Sequence, residues 1–241
     1  MSLFILVASF CLSFVIYYNY QIISDTEFSN LVLRTGTFLF AIFTGFFIAR
    51  QGTRYSSIRE QITSFDGEIS AIYRKFGHIS KAAQNTFSKI ITKHYKKILN
   101  NNSWDYNFTH KSSTLLDTHN LIQKTVKDKV FGTLKNFSIQ RVLVSLENLQ
   151  VTRKKMVALH KERIPTFQWA LIYFLASILL ITVATISSEG IIFKSALKAS
   201  FSSVVILIII LLHRFDNLHF FGGIIGEKSA QDVLDILKGK K

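Results

Sequence analysis

The chain has 241 residues, of which 49% are hydrophobic, 22 are Phe, and the formal net charge is +14. A soluble domain scatters its apolar residues at helical or strand spacing, whereas here they fall in a few long runs that point to lipid. The single cysteine, Cys11, excludes an intramolecular disulfide and any Cys-rich metal site, and reads as a small packing residue.

The first run extends from Leu3 to about Ile23, with Tyr17, Tyr18 and Tyr20 at its far end, where amphipathic rings suit the headgroup level. No Lys or Arg precedes it and no small-x-small cleavage pattern follows, so it reads as a retained span rather than a signal peptide. Asp25 and Glu27 form a short acidic link. The second run, Leu31 to Ala49, carries one charge, Arg34, close enough to its start to reach the headgroups. Gly36 and Gly45 lie within this span and permit close helix contact.

A basic middle follows. Of the 29 Lys and Arg, 21 lie between Arg50 and Arg163, against 8 of the 15 acids. Such an excess marks a cytoplasmic segment in a membrane protein. Ile58, Ile62, Phe65, Ile69, Ile72, Phe76, Ile79, Ala83, Phe87 and Ile90 recur at steps of three and four, which predicts one long amphipathic helix continuing from the second span. Asn100 to Trp104 breaks the pattern with poor helix formers. A second helical stretch starts near Ser112. Leu115, Ile122, Val126, Val130 and Leu134 mark one face, continued by Val142, Leu146, Leu149, Met156 and Leu159, with Gly132 and Asn136 as points where it divides.

The only proline, Pro165, stands where this stretch meets the third span, Pro165 to Ile186, and predicts a kink. In the fourth, Ala199 to Leu212 gives only about 21 Å of helix against a bilayer core of roughly 30 Å. The span must therefore begin near Ile191 and include Lys194 and Lys198, one turn apart near its outer end. These lysines either snorkel to the headgroups or form an anion-attracting mouth. The expected fold is all-α: a polytopic membrane protein with four transmembrane helices and a cytoplasmic helical domain formed by long extensions of spans two and three. It divides as 1–50, 51–164, 165–214 and a tail 215–241. With the positive excess inside and Glu189 in the outer connection, both termini lie in the cytoplasm of a cell (inner) membrane, an organellar membrane being left open.

Catalytic chemistry finds no footing. No two of the seven histidines have the i, i+4 spacing of a helical metal site, and most read as solvated. There is no phosphate loop, no G-x-S-x-G elbow and no H-x-E pattern, so neither an enzyme nor a cofactor nor a metal is expected. Nucleic acid is not an expected partner, because the aromatics lie on the apolar stripe rather than on an exposed platform. The sequons at Asn101, Asn107 and Asn136 fall in the segment assigned to the cytoplasm. Phe38, Ile42 and Phe46 share one face of the second span. They form either ordinary lipid or helix contacts or, in a ring of subunits, a hydrophobic constriction.

Two spans, a long helical insert and two further spans resemble the bestrophin-like proteins, specifically a bacterial and plant group called a domain of unknown function. The resemblance rests on Arg54 followed by an amphipathic helix carrying Glu68, on Arg163-Ile164-Pro165 leading into Trp169, and on the tail HRFDNLHFFGG, where Asp216, Phe221 and Gly222 match. His219 or Phe220 stands where that family usually has proline. Bestrophins are pentameric ion channels with a hydrophobic neck on the second span, and IFTGFFIAR is similar to that segment. The resemblance implies that Phe38, Ile42, Gly45 and Phe46 form the neck of a homo-oligomer, acting on inorganic ions in a lipid bilayer. The alternative is a non-conducting membrane scaffold, or a subunit of a larger complex that binds partners through its cytoplasmic helices.

Overall fold

The computed structural model describes residues 2–19, 26–101, 103–127, 132–185, 191–219 and 226–238, and every described element is helical. In chain order these are α1 (Ser2–Asn19), α2 (Thr26–Ile79), α3 (Lys81–Asn101), α4 (Tyr106–Thr109), α5 (Thr114–Val126), α6 (Thr133–Lys161), α7 (Thr166–Thr185), α8 (Ile191–Asp216) and α9 (Gly226–Leu237). Three helical stretches are long and apolar enough to cross a membrane, with their apolar windows in α2, α7 and α8. By length and composition they mark a multi-pass membrane protein. Asp25, Glu189, Tyr20, Val130, Phe221 and Gly222 lie outside the described residues.

The chain divides into two compact units, Met1–Thr53 with Arg163–Leu218, and Arg54–Glu162 with His219–Lys241. The first gathers α1, the start of α2, α7 and α8. Phe40, Phe47, Ile172, Leu175, Leu179, Val205 and Leu212 make its core. Gly36 is close-packed: a Cβ added there would meet Leu179 Cδ2 at 3.1 Å. Gly45, expected to serve the same end, has nothing within 4 Å in this chain. Two further expectations need correction. Cys11 is exposed rather than packed. Tyr17 is buried, because its hydroxyl shares a 2.7 Å hydrogen bond with Ser202 Oγ instead of reaching a headgroup.

In the second unit the apolar stripe of α2 is buried from Ile58 to Ile79. The expected single helix is two. Ser80 leaves the helical conformation and its Oγ caps the Ala83 N–H at 3.1 Å. Gly77 leaves room for Gln84, whose Nε2 donates to the Tyr73 carbonyl at 3.3 Å. The break resets the register, so Ile91, Tyr95 and Ile98 are buried and Ile90 is only half-buried. Gly132, in extended conformation, caps α6, as its position in the pattern implied. Leu134, read as a core position, is 70% exposed, because α6 turns Val142, Leu146, Leu149 and Met156 inward instead. At Pro165 the chain leaves the helix over 162–165 rather than kinking. Proline cannot donate, but its carbonyl accepts from Gln168 and Trp169 and so starts α7.

Candidate functional site: an uncovered face on the second helix and its supports

The first part of α2 is apolar on both faces. Phe40, Phe47 and Thr44 are buried, and Thr44 satisfies its hydroxyl on the Phe40 carbonyl at 2.6 Å. On the other side Phe38, Ile42 and Phe46 are 65%, 51% and 60% exposed. Steps of four place them on one face over about 12 Å of helix. Gly45 adds no side chain to this face, leaving it lined by rings and one isoleucine. Only 22% of the apolar window of α2 is buried, against 33% for those of α7 and α8, so α2 has the least cover of these three from its own chain.

Arg163 and Asp216, which the sequence places 53 residues apart, meet in the first unit. The Arg163 guanidinium donates to the Asp216 carbonyl and, at 2.8 Å, to Asn217 Oδ1. The buried Asp216 carboxylate accepts the Ile164 N–H at 2.8 Å. One turn on, Trp169 packs edge-on against His213 with centroids 4.8 Å apart. The start of α7 is thereby latched to the end of α8. Leu218 closes the turn in the left-handed region (φ 57°) with its side chain buried, so packing holds a conformation that usually falls to glycine.

Arg54 and Glu68 act in the second unit. Arg54 is 3% exposed and donates from Nε to the Leu159 carbonyl at 2.7 Å and from a terminal nitrogen to the His160 carbonyl at 3.0 Å. It thus satisfies carbonyls that the end of α6 leaves without helical partners. Glu68 Oε1 accepts from Asn148 Nδ2 at 2.8 Å, tying α2 to α6 again. Lys194 is exposed, while Lys198 is half-buried with its ammonium 5.9 Å from the centre of the Tyr17 ring.

The protein-family comparison matches a bestrophin-like domain over residues 3–225. The chain belongs to the bestrophin-like family. Neither the curated proteins nor the solved structures gave a match. The site residues of this bestrophin-like chain, from Tyr17 to Leu218, fall inside the matched stretch.

Sequence reading missed a polar cluster inside the second unit. The Asp66 carboxylate accepts hydrogen bonds from the hydroxyls of Tyr95 and Ser229, joining α2, α3 and α9. Burial pushes the Asp66 carboxyl above the usual carboxylate range, partly offset by those two donors, and burial beside Asp66 also raises the Tyr95 phenol. Most histidines read as solvated from the sequence, but His94 is buried. Its Nδ1 lies 2.9 Å from Thr114 Oγ1 and its ring stacks on Phe65. Burial, with Lys97 and Arg153 nearby, lowers its pKa to about 3, so the ring stays neutral. A cavity of about 20 Å³, lined by His94, Asp66, Tyr95 and Trp104 among others, is the size of one water. Asn107 is buried and donates to the His94 carbonyl at 3.0 Å, so this sequon is committed to the core. The spacing of a polar residue inside an apolar stripe was the only available signal, and it does not separate Asp66 from a surface acid. Among the described residues no three His, Cys, Asp or Glu side chains group closely enough to hold a metal.

Proposed function

We propose that this bestrophin-like protein is a subunit of a homo-oligomeric, pentameric ion channel in which α2 lines the pore. The observation that carries this reading is the uncovered row Phe38, Ile42 and Phe46 on α2, the least covered of the three long apolar helices. Around a central axis, such a row makes a neck that dewets when narrow and conducts when it widens. Gly45, with open space beside it, lets the helices of a ring approach. In this reading α1 is the fourth span, the basic helical unit lies in the cytoplasm with both termini, and its excess of Lys and Arg concentrates anions. Lys194 and Lys198 form an anion-attracting mouth at the opposite end. No residue has a catalytic role.

The test is anion flux through reconstituted protein of known oligomeric mass. Phe46→Ala widens the neck and raises flux at least about twofold. A monomer in detergent, or a folded oligomer silent in several salts, removes the reading. A scaffold reading has its own support in α6, where Leu134, Phe137, Val144 and Val151 are exposed on a helix whose opposite face is already packed. Stoichiometric cross-linking of a different protein to this face, without flux, favours the scaffold.

A further inference from the structure

The helix α3 carries five lysines and no acid in 21 residues. Its inner face is buried through Phe87, Ile91, His94, Tyr95 and Ile98, so the lysines are forced onto what remains. Lys81 is engaged with Gln84 at 2.9 Å. The other four, Lys89, Lys93, Lys96 and Lys97, have no carboxylate partner among the described residues. Together with Thr92 and Asn100 they line a shallow depression of about 470 Å³. Like charges at i, i+4 and i+3 oppose the helix unless a counter-charge offsets them. Lys93 and Lys97 also border a notch formed with Ser112, Ser113 and Thr114, whose hydroxyls are already bonded to one another, to His94 and to Asp117.

We infer that this face binds a soluble polyphosphate anion. Lysines serve phosphate as mobile point charges with three donors each. From Lys89 to Lys97 the row runs about 12 Å along the helix, which suits several linked phosphate groups better than one. The depression takes the chain, with the four ammonium groups along it. A nucleic acid would want stacking platforms, but the aromatic residues of α3, Phe87 and Tyr95, are buried on its other side. Asp117 also lines the notch and accepts from Ser113 Oγ at 2.7 Å. It opposes an anion there, so the lysines and not the start of α5 hold the ligand.

The test uses the full chain in detergent with inorganic tripolyphosphate as probe, at near-physiological salt, reading equilibrium binding and thermal shift. The double variant Lys93→Gln/Lys97→Gln weakens binding about tenfold or more. Lys154→Gln/Lys155→Gln removes equal charge from exposed positions on α6 and leaves binding unchanged. Asp117→Asn tightens it. Equal loss in both double variants means attraction to net charge alone and overturns the inference. So does orthophosphate binding as well as tripolyphosphate, or binding seen only to vesicles of anionic lipid. Both double variants alter water-facing side chains, and their unliganded melting temperatures serve as the folding control.

Discussion

The two units of this chain are built to opposite plans. The second buries Ile58, Phe65, Phe76, Phe87 and Leu149 and turns lysines outward. The first exposes Phe38, Phe46, Phe167, Phe174, Ile181 and Phe193, while burying Ser29, Thr44, Ser195, Ser202 and Ser203. Water drives apolar groups inward in one case. In lipid that drive is absent, and packing with internally satisfied hydroxyls holds helices together. Exposure of a large apolar side chain therefore has different meanings in the two units, and loss of a phenylalanine has different costs.

The largest expected effect tests that contrast directly. Phe76→Ala removes a fully buried ring and costs about 3–5 kcal/mol, seen as a lower melting temperature in detergent. Next is acid. The folded-state pKa of His94 is about 3, below its ordinary 6.5, so the neutral ring stabilises the fold above pH 6.5 and that stability is lost as pH falls towards 3. Over that interval the loss is about 4 kcal/mol. Asp66 works the other way. Its raised folded pKa means the fold takes up its proton first, so stability from this group grows as pH falls through the raised value. Melting curves against pH check both signs: His94→Phe flattens the acid limb, and Asp66→Asn steepens it.

Arg54→Ala strands two carbonyls at the end of α6 and costs about 2–3 kcal/mol, readable as faster amide exchange near Leu159. Glycine substitutions sharpen the comparison within one helix. Gly36→Val drives side-chain atoms into Leu179 and costs about 1–3 kcal/mol by overpacking. The Cβ of Gly45→Ala meets nothing in its own chain and does not destabilise it, whereas in the proposed assembly it lowers the yield of oligomer, measured by native mass. Smallest is Phe38→Ala, at about 0.5 kcal/mol or less in melting, because the ring has little packing to lose.

The long apolar runs were legible because periodicity and length report the surrounding solvent, and α2, α7 and α8 lie where those runs predict. The stripe through Phe76 was legible for the same reason. Its shift beyond Ser80 was not, since a one-residue reset depends on a cap and on the space at Gly77 rather than on hydropathy. Arg54, Glu68, Arg163 and Asp216 were found by resemblance to a family, which named the residues without their work. That work depends on partners about 50 to 105 positions away, a range no local pattern encodes. His94 and Asp66 were missed because their partners come from other helices, distant in the sequence.

The bond between Ile164 and Asp216 also sets an order of events during synthesis. Its donor leaves the ribosome 52 residues before its acceptor, so α7 must enter the bilayer with that amide still seeking a partner. Only when the last turn of α8 has emerged can the hairpin seal at its base. Completion of this clasp is therefore a late step in biogenesis, and chains cut short just before Asp216 lack the acceptor that closes it.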